Sequence, residues 1–226
     1  MRLQKYIANL GFCSRRRAEE LIKLGKIKVN GRIAEIGMKI NPEEDEVGIE
    51  NQILNTDTDK IYIAVNKPVG YVTSTSSKQG KSVIDLLDKS KIKRRVYPVG
   101  RLDKDSEGLV LLTNDGELTN RLTHPKYEHE KEYEIELDKT LSNKDKKTLE
   151  SGMDIGEKVR GIKIKKTDNP KKYRLVLQEG KNRQIRKMLG RLGYNLQSLK
   201  RLRLGKLKLN KLPTGKWKFV EKKEII

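Results

Sequence analysis

Apolar residues near the start of the chain recur at the three-to-four-residue spacing of a helical face, which predicts two short helices. Gly11 would end the first helix, Ser14 is placed to cap the start of the second, and Gly25 would end it. The apolar faces are formed by Leu3, Ile7 and Leu10 in the first helix and by Ala18, Leu21 and Ile22 in the second.

A change from helical to alternating spacing follows the second helix. Residues 26–29 and 32–34 alternate around the pair Asn30-Gly31. An Asn-Gly pair between alternating segments is a strong hairpin signal, since both residues tolerate the positive φ that a tight turn requires. The first 35 residues therefore predict a compact unit of two helices and a hairpin.

The remainder of the chain mixes strand-like and helical segments with irregular connections. Some strands alternate and others are continuously apolar, which favours an α+β fold over a doubly wound sheet. The predicted strands are 61–65, 109–113, 131–137 and 173–178, and the predicted helices are 83–87, 117–122 and 183–192.

Charge is unevenly distributed along the 226 residues, whose formal net charge is +20. Residues 1–35 carry nine basic and three acidic side chains, residues 36–60 carry two and seven, and residues 61–226 hold the remainder. Two basic blocks separated by an acidic segment are typical of a two-domain nucleic-acid-binding protein. We expect a small domain over 1–55, a linker to about residue 60 and a larger domain over 61–226.

The small number of cysteines and histidines limits the disulfide and metal sites that the chain can form. One cysteine excludes an internal disulfide, and one cysteine with two histidines disfavours a zinc site of these ligands, so we expect no cofactor. No apolar run approaches the roughly 18 residues of a membrane span. The first residues lack the apolar core of a signal peptide, which favours a cytoplasmic protein without membrane association.

The N-terminal unit resembles the S4 RNA-binding domain. The resemblance rests on Ser14-Arg15, the apolar stretch from Ala18 to Ile22, Gly25 and the run Val29-Asn30-Gly31. It implies RNA backbone contacts by the second helix, whose first residues are Arg15, Arg16 and Arg17. The alternative is a DNA-reading helix-turn-helix, but a hairpin directly after the second helix disfavours the longer recognition helix of such proteins.

The charged segment around Asp103 is the main candidate for chemistry. Asp103 could be an ordinary solvated carboxylate. With Asp105, Glu107 and Gly108 it also imitates the start of an EF-hand loop, although position twelve is Asn114 instead of glutamate. A phosphate-binding interpretation of 80–82 fails, because the earlier glycine of that motif is replaced by threonine.

Residues 97–118 closely resemble the catalytic signature of the RsuA/RluB family of RNA pseudouridine synthases, in which the aspartate at the position of Asp103 is catalytic. The resemblance implies a mixed, largely antiparallel sheet in the larger domain. Residues 131–133 resemble the family's second motif, whose tyrosine, here Tyr133, stacks on the target base. Residues 179–188 resemble its third motif, whose basic residue pairs with the aspartate. That role falls to Arg186, with Arg183 the lesser candidate.

RNA contacts beyond the catalytic residues are expected from Arg101, Asn182, Arg183 and Gln184. The implied partner is structured RNA, first of all a 23S ribosomal RNA stem-loop or an assembling large subunit, bound by a monomer. A 16S or transfer RNA target stays open, as does the order of chemical steps. The alternatives are a non-catalytic S4-type RNA-binding or ribosome-assembly factor and a DNA-binding regulator.

Overall fold

The computed structural model describes residues 1–50, 52–54 and 59–226. Its N-terminal part is a small unit with its own apolar core, built from the two helices and a four-stranded antiparallel sheet. The sheet order is β2-β1-β3-β4. These elements are α1 (Leu3–Asn9), α2 (Arg15–Lys23), β1 (Ile27–Val29), β2 (Arg32–Ile33), β3 (Val47–Ile49) and β4 (Gln52–Ile53).

Local sequence signals explain this unit. The Ser14 side chain accepts a hydrogen bond from the Arg17 backbone N–H at 3.1 Å, which satisfies one of the unpaired donors at the start of α2. Asn30 and Gly31 have φ values of +51° and +78°, as a tight two-residue hairpin turn requires. The predicted helices, cap and hairpin are thus all present.

The larger unit follows from Tyr62 onward and contains one extended sheet with helices packed against it. Its helices are α3 (Gly116–Thr123), α4 (Asn143–Ser151) and α5 (Gln184–Arg191). Its strands are β5 (Tyr62–Lys67), β6 (Tyr97–Pro98), β7 (Glu107–Thr113), β8 (Lys131–Leu137), β9 (Met153–Asp154), β10 (Lys158–Val159), β11 (Lys163–Lys166), β12 (Lys172–Leu177), β13 (Leu196–Leu204), β14 (Leu207–Lys208) and β15 (Trp217–Phe219).

The large sheet has the order β11-β12-β8-β13-β7-β5-β15, with β14 beside β13 and β6 beside β7. The pair β13–β7 is parallel and the other described pairs are antiparallel. Strands β9 and β10 form a separate hairpin. The α+β class with a mixed, largely antiparallel sheet is therefore confirmed.

Strands β5 and β7 are interior strands of this sheet and are covered on both faces. Ile63 and Val65 belong to the core on one face, whereas Ala64 belongs to the core on the other. Burial on both faces accounts for the continuous apolar character of these strands. The loop between β6 and β7 therefore leads directly into a strand that is packed on both faces.

One predicted element needs adjustment. The helix predicted at 83–87 is a 3₁₀ helix at Val83–Leu86, with a reciprocal cap between Ser82 and Asp85. The predicted boundary at residue 55 and most of the linker lie outside the described residues. Among the residues that the structure describes, no helix is long and apolar enough to span a bilayer.

Candidate active site

Asp103 lies in a loop between β6 and β7 that buried contacts hold in place. The Thr73 hydroxyl donates to the Leu102 carbonyl at 2.6 Å and accepts from the Leu102 N–H at 3.2 Å. The Ser106 N–H donates to the Asp103 carbonyl at 3.1 Å, which closes a tight turn over 103–106. Leu102 is buried, whereas 27% of the Asp103 side chain is exposed. The carboxylate thus stands on a fixed backbone and remains accessible.

Two arginines from the start of α5 reach this loop. Arg183 precedes the helix with a left-handed φ of +51° and donates to both carboxylate oxygens of Asp105, at 3.1 and 2.8 Å. Arg186, one turn into the helix, donates to the Asp105 carbonyl at 2.8 Å and to the Ser106 hydroxyl at 3.0 Å. The hydrogen bonds from Arg183 lower the pKa of Asp105.

The pairing of Asp103 differs from the sequence-based hypothesis. Its ion-pair partner within 4 Å is Arg183, at 3.8 Å, and not Arg186. The reason is geometric, since Arg186 is already bonded to the loop backbone at Asp105 and to Ser106. Direct pairing of Arg186 with Asp103 is therefore not observed, and Arg186 instead contacts the turn that presents the carboxylate.

Two buried cations beneath the loop were not singled out from the sequence. Lys67, at the end of β5, is fully buried and donates to the carbonyls of Pro68 and Tyr71, each at 2.9 Å. Burial lowers the pKa of Lys67 to about 8, against the opposing effects of the Asp105 and Asp103 carboxylates. Arg201, in β13, is 2% exposed. A lysine inside an apolar strand pattern was the available signal for Lys67, whereas nothing local distinguishes Arg201 from its basic neighbours.

Tyr133 comes to the same place from β8. It is 9% exposed and contributes to the apolar core, with Ile135 and Leu137 following on the same face of the strand. Lys131, two residues earlier, is partly buried, and desolvation lowers its pKa. An aromatic ring and a cation therefore lie two residues apart on the same face of β8.

A cleft of about 600 Å³ joins these groups. That volume is within the usual range for ligand sites. The predicted site residues that line it are Arg101, Asp103, Tyr133, Asn182, Arg183, Gln184 and Arg186. The structure thus brings together the three separate sequence segments that contain them.

Gln184, predicted from the sequence to contact RNA, has a buried side chain that is bonded within the protein. It is 3% exposed, and its amide nitrogen donates to Glu179 at 2.6 Å while its oxygen accepts from the Lys181 N–H at 3.1 Å. Its hydrogen-bonding capacity is used inside the protein, where it shapes the turn before α5. Arg101 and Asn182, by contrast, are exposed on the cleft wall.

Arg15, Arg16 and Arg17 lie outside the cleft, exposed on the first turn of α2. Arg17 forms an ion pair with Glu20 at 2.9 Å, an exposed interaction that contributes little to stability. The small unit contacts the larger one through Arg95, whose guanidinium donates to the Cys13 carbonyl at 3.5 Å. No cluster of three potential metal-ligating side chains occurs among the described residues.

Comparison with known proteins decides the family. The model of a family described as RNA pseudouridylate synthase matches residues 61–190, and the S4 domain model matches residues 1–47. The chain belongs to the RNA pseudouridine synthase family. The synthase is therefore an isomerase that converts uridine to pseudouridine in RNA, and the predicted family and enzyme class are confirmed.

Named relatives of this synthase resemble it along nearly the whole chain. The dual-specificity RNA pseudouridine synthase RluF of Escherichia coli K12 is 38% identical over 229 residues, covering 100% of this chain and 77% of that protein. The ribosomal large subunit pseudouridine synthase B of Bacillus subtilis is 38% identical over 222 residues, covering 95% and 89%. A crystal structure of a pseudouridylate synthase is 28% identical with a TM-score of 0.72, covering 99% and 97%.

Proposed function

We propose that this synthase isomerises a uridine in a 23S ribosomal RNA stem-loop, with Asp103 as the catalytic residue. The supporting observation is the cleft in which an accessible carboxylate, an aromatic ring and two arginines come together in a protein of net charge +20. Because net positive charge attracts polyanions, such a cleft suits a nucleotide extruded from RNA.

The reaction requires the uracil N1–C1′ bond to break and a C5–C1′ bond to form. A proton then leaves C5 and N1 gains one, so the product has the atoms of the substrate. The Asp103 carboxylate is suited to attack C1′ or to assist an elimination on the ribose, and attack on the base is a third route. All three need an ionised carboxylate, and the Arg183 guanidinium lies 3.8 Å from the Asp103 carboxylate.

The proposed role of Arg186 is to hold the loop that presents Asp103. Only 17% of the Arg186 side chain is exposed, compared with 45% for Arg183. Exposed ion pairs are screened by water, whereas buried charged hydrogen bonds are costly to remove. Of the two arginines, Arg186 therefore has the larger influence on the geometry of the loop.

We predict that Arg186→Met lowers the single-turnover rate at saturating RNA by about 100-fold, since small displacements of a catalytic group have effects of that size. Arg186→Lys should recover part of the loss. Arg183→Met is the matched comparison and should lower the rate less than about tenfold. A larger loss for Arg183→Met than for Arg186→Met would reverse the assigned roles.

Tyr133 is proposed to stack on the flipped uracil and to assist transfer of the C5 proton. Its ring borders the cleft from a buried strand position, so its orientation is limited by packing. Aromatic stacking on a nucleobase contributes about 1–3 kcal/mol.

For Tyr133→Phe we expect near-normal RNA affinity with a stall after base detachment, because the ring remains and the hydroxyl is lost. Tyr133→Ala should lose affinity as well, by the roughly 1–3 kcal/mol of one stacked base. Rapid-quench analysis of the RNA, together with filter binding, separates the two effects. Identical behaviour of the Phe and Ala variants would contradict the proton-transfer role.

The 23S target is supported by the relative named for the large ribosomal subunit, and a second RNA target stays open because another relative is named dual-specificity. The direct experiment is pseudouridine mapping of ribosomal and transfer RNA from cells with and without this protein. Loss of one pseudouridine in 23S RNA supports the proposal. Loss confined to 16S or transfer RNA would show that the substrate is that RNA and not 23S RNA.

The N-terminal unit is proposed to anchor the RNA through Arg15, Arg16 and Arg17. All three are exposed, and the ion pair of Arg17 with Glu20 is itself open to solvent, so the three guanidinium groups are accessible to phosphates. Changing all three to Gln should weaken RNA binding and reduce the salt slope by about 0.7–0.9 for each phosphate that is no longer neutralised, with the rate at saturating RNA nearly unchanged. The control changes Lys163, Lys165 and Lys166, exposed on β11, which removes the same charge. Equal effects of the two triple variants would mean that only net charge matters.

A further inference from the structure

Arg201 occupies a central position beneath the candidate active site. In the strand register it pairs with Gly108 of β7 on one side and with Tyr133 of β8 on the other. On the far side of Gly108, the paired residue is Lys67 of β5. Arg201 therefore lies between the strand that follows the Asp103 loop and the strand that carries Tyr133.

The Arg201 guanidinium joins the two ends of the Asp103 loop. Its Nε donates to the Leu109 carbonyl at 2.7 Å, and its Nη1 donates to the Arg101 carbonyl at 3.3 Å. Arg101 precedes Asp103 by two residues, and Leu109 lies within β7, after the loop. A planar guanidinium can hold two acceptors at a set separation, which a lysine ammonium cannot do as rigidly.

The charge of Arg201 is not neutralised by a direct ion pair. Across the described part of the chain, no carboxylate lies within the 4 Å ion-pair distance of Arg201, and its Nη2 has no hydrogen-bond partner. A buried charge without a paired partner is costly, and an apolar residue of similar volume would be cheaper for packing alone. The carboxylates of Asp105 and Asp103 raise the pKa of Lys67, whereas the charge of Arg201 lowers it, so the three groups act on the same buried lysine.

We propose that Arg201 is a positioning residue that fixes the Asp103 loop relative to Tyr133 and supplies a buried positive charge beneath the carboxylate. This inference rests on the proposed catalytic role of Asp103. It assigns to Arg201 an effect on the chemical step and not on RNA binding, because its side chain is buried and its bonds are to backbone carbonyls.

A purely structural role in joining β7 to β13 would give a different result. In that case, loss of Arg201 lowers thermal stability, and the remaining folded protein turns over at a normal rate. A positioning role instead lowers the rate of the folded protein at saturating RNA. The rate at saturation, the RNA dissociation constant and the melting temperature must therefore be measured on the same preparations.

The test compares Arg201→Met and Arg201→Lys with the control Arg203→Met in the same strand. Arg203 bonds to Glu130, Glu132 and the Gly205 carbonyl, all away from the Asp103 loop. We expect the single-turnover rate at saturating RNA to fall about 100-fold for Arg201→Met and about tenfold for Arg201→Lys. RNA affinity should stay within about threefold for both, and Arg203→Met should keep its rate within about threefold while losing stability.

Several results would overturn the inference. These are a wild-type rate at saturation for folded Arg201→Met, equal losses for Arg201→Met and Arg203→Met, or a loss that appears only in RNA affinity. If Arg201→Met does not fold, the rate of Arg201→Lys at saturating RNA is measured instead. If neither variant folds, Arg201 has a structural role and the proposal is contradicted. Asp103→Asn in the same assay distinguishes failure of the inference about Arg201 from failure of the proposed catalytic role of Asp103. If that variant is inactive while Arg201→Met is normal, only the inference about Arg201 fails; if Asp103→Asn is active, its premise fails.

Discussion

Asp103→Asn should abolish pseudouridine formation while leaving RNA affinity within about threefold. Asparagine is nearly isosteric with aspartate, and it can act neither as a nucleophile nor as a base at this position. The loop should keep its shape, because its backbone is held by Thr73 and Arg186 through contacts that do not involve the Asp103 side chain. Product analysis after a long single-turnover incubation, together with a binding isotherm, is the measurement.

Asp105→Asn is the matched control, since it removes a carboxylate two residues away in the same loop. Asp105 bonds both Arg183 and Arg186, so its loss should disturb the loop and lower the rate by about tenfold without abolishing it. Substantial turnover by Asp103→Asn, or inactivity that a melting curve attributes to unfolding, would remove Asp103 from its assigned role. Complete inactivity of Asp105→Asn with an active Asp103→Asn would transfer that role to Asp105.

Gly108→Ala should destabilise the protein by about 3–5 kcal/mol and remove most of the activity. Gly108 has a φ of +107°, a region that side chains disfavour, and an added Cβ would lie 2.4 Å from the Arg201 carbonyl oxygen and 2.6 Å from its nitrogen. Because both contacts are to backbone atoms of the paired strand, relief requires β7 and β13 to separate. Such a separation would displace the Asp103 loop as well.

Gly156→Ala is the control that separates the steric clash expected for Gly108→Ala from the backbone strain that both substitutions cause. Gly156 has a similar φ of +101°, but an added Cβ there would meet nothing within 4 Å. Its cost should be limited to backbone strain, about 1–2 kcal/mol, with activity retained. Urea unfolding of the two variants measures the difference. Equal destabilisation would show that the close approach of β7 and β13 is not the cause.

Charge patterning explains where sequence-based prediction of the fold was weakest. Helix α4 and strands β11, β13 and β15 were not predicted, and all four are rich in lysine or arginine. In β11 only Ile164 is buried, so a single apolar position gives no period to detect. These elements are stabilised by pairing with a neighbouring strand or by docking on the core, and those are long-range interactions.

Local chemistry was sufficient where a structural signal lies within a few residues. The Ser14 cap, the Asn30-Gly31 turn and the alternating strand 131–137 all depend on neighbours in the chain, and they were predictable from the sequence. The resemblance of three separate motifs also identified the family and brought Asp103, Tyr133 and Arg186 forward as candidates before their positions were known.

Tertiary structure decided what the candidates contact. The sequence by itself determined the α+β class, the basic character and the motif residues, because these depend on local period, composition and residue identity. Only the fold placed Arg183 beside Asp103, directed Arg186 to Asp105 and Ser106, and buried Gln184 against Glu179. It also placed Arg201, almost a hundred residues from Asp103 in the chain, beneath the loop. Strand pairing determines these contacts. In the order β8-β13-β7-β5, neighbouring strands are far apart in the chain, so the contacts depend on the register between distant segments.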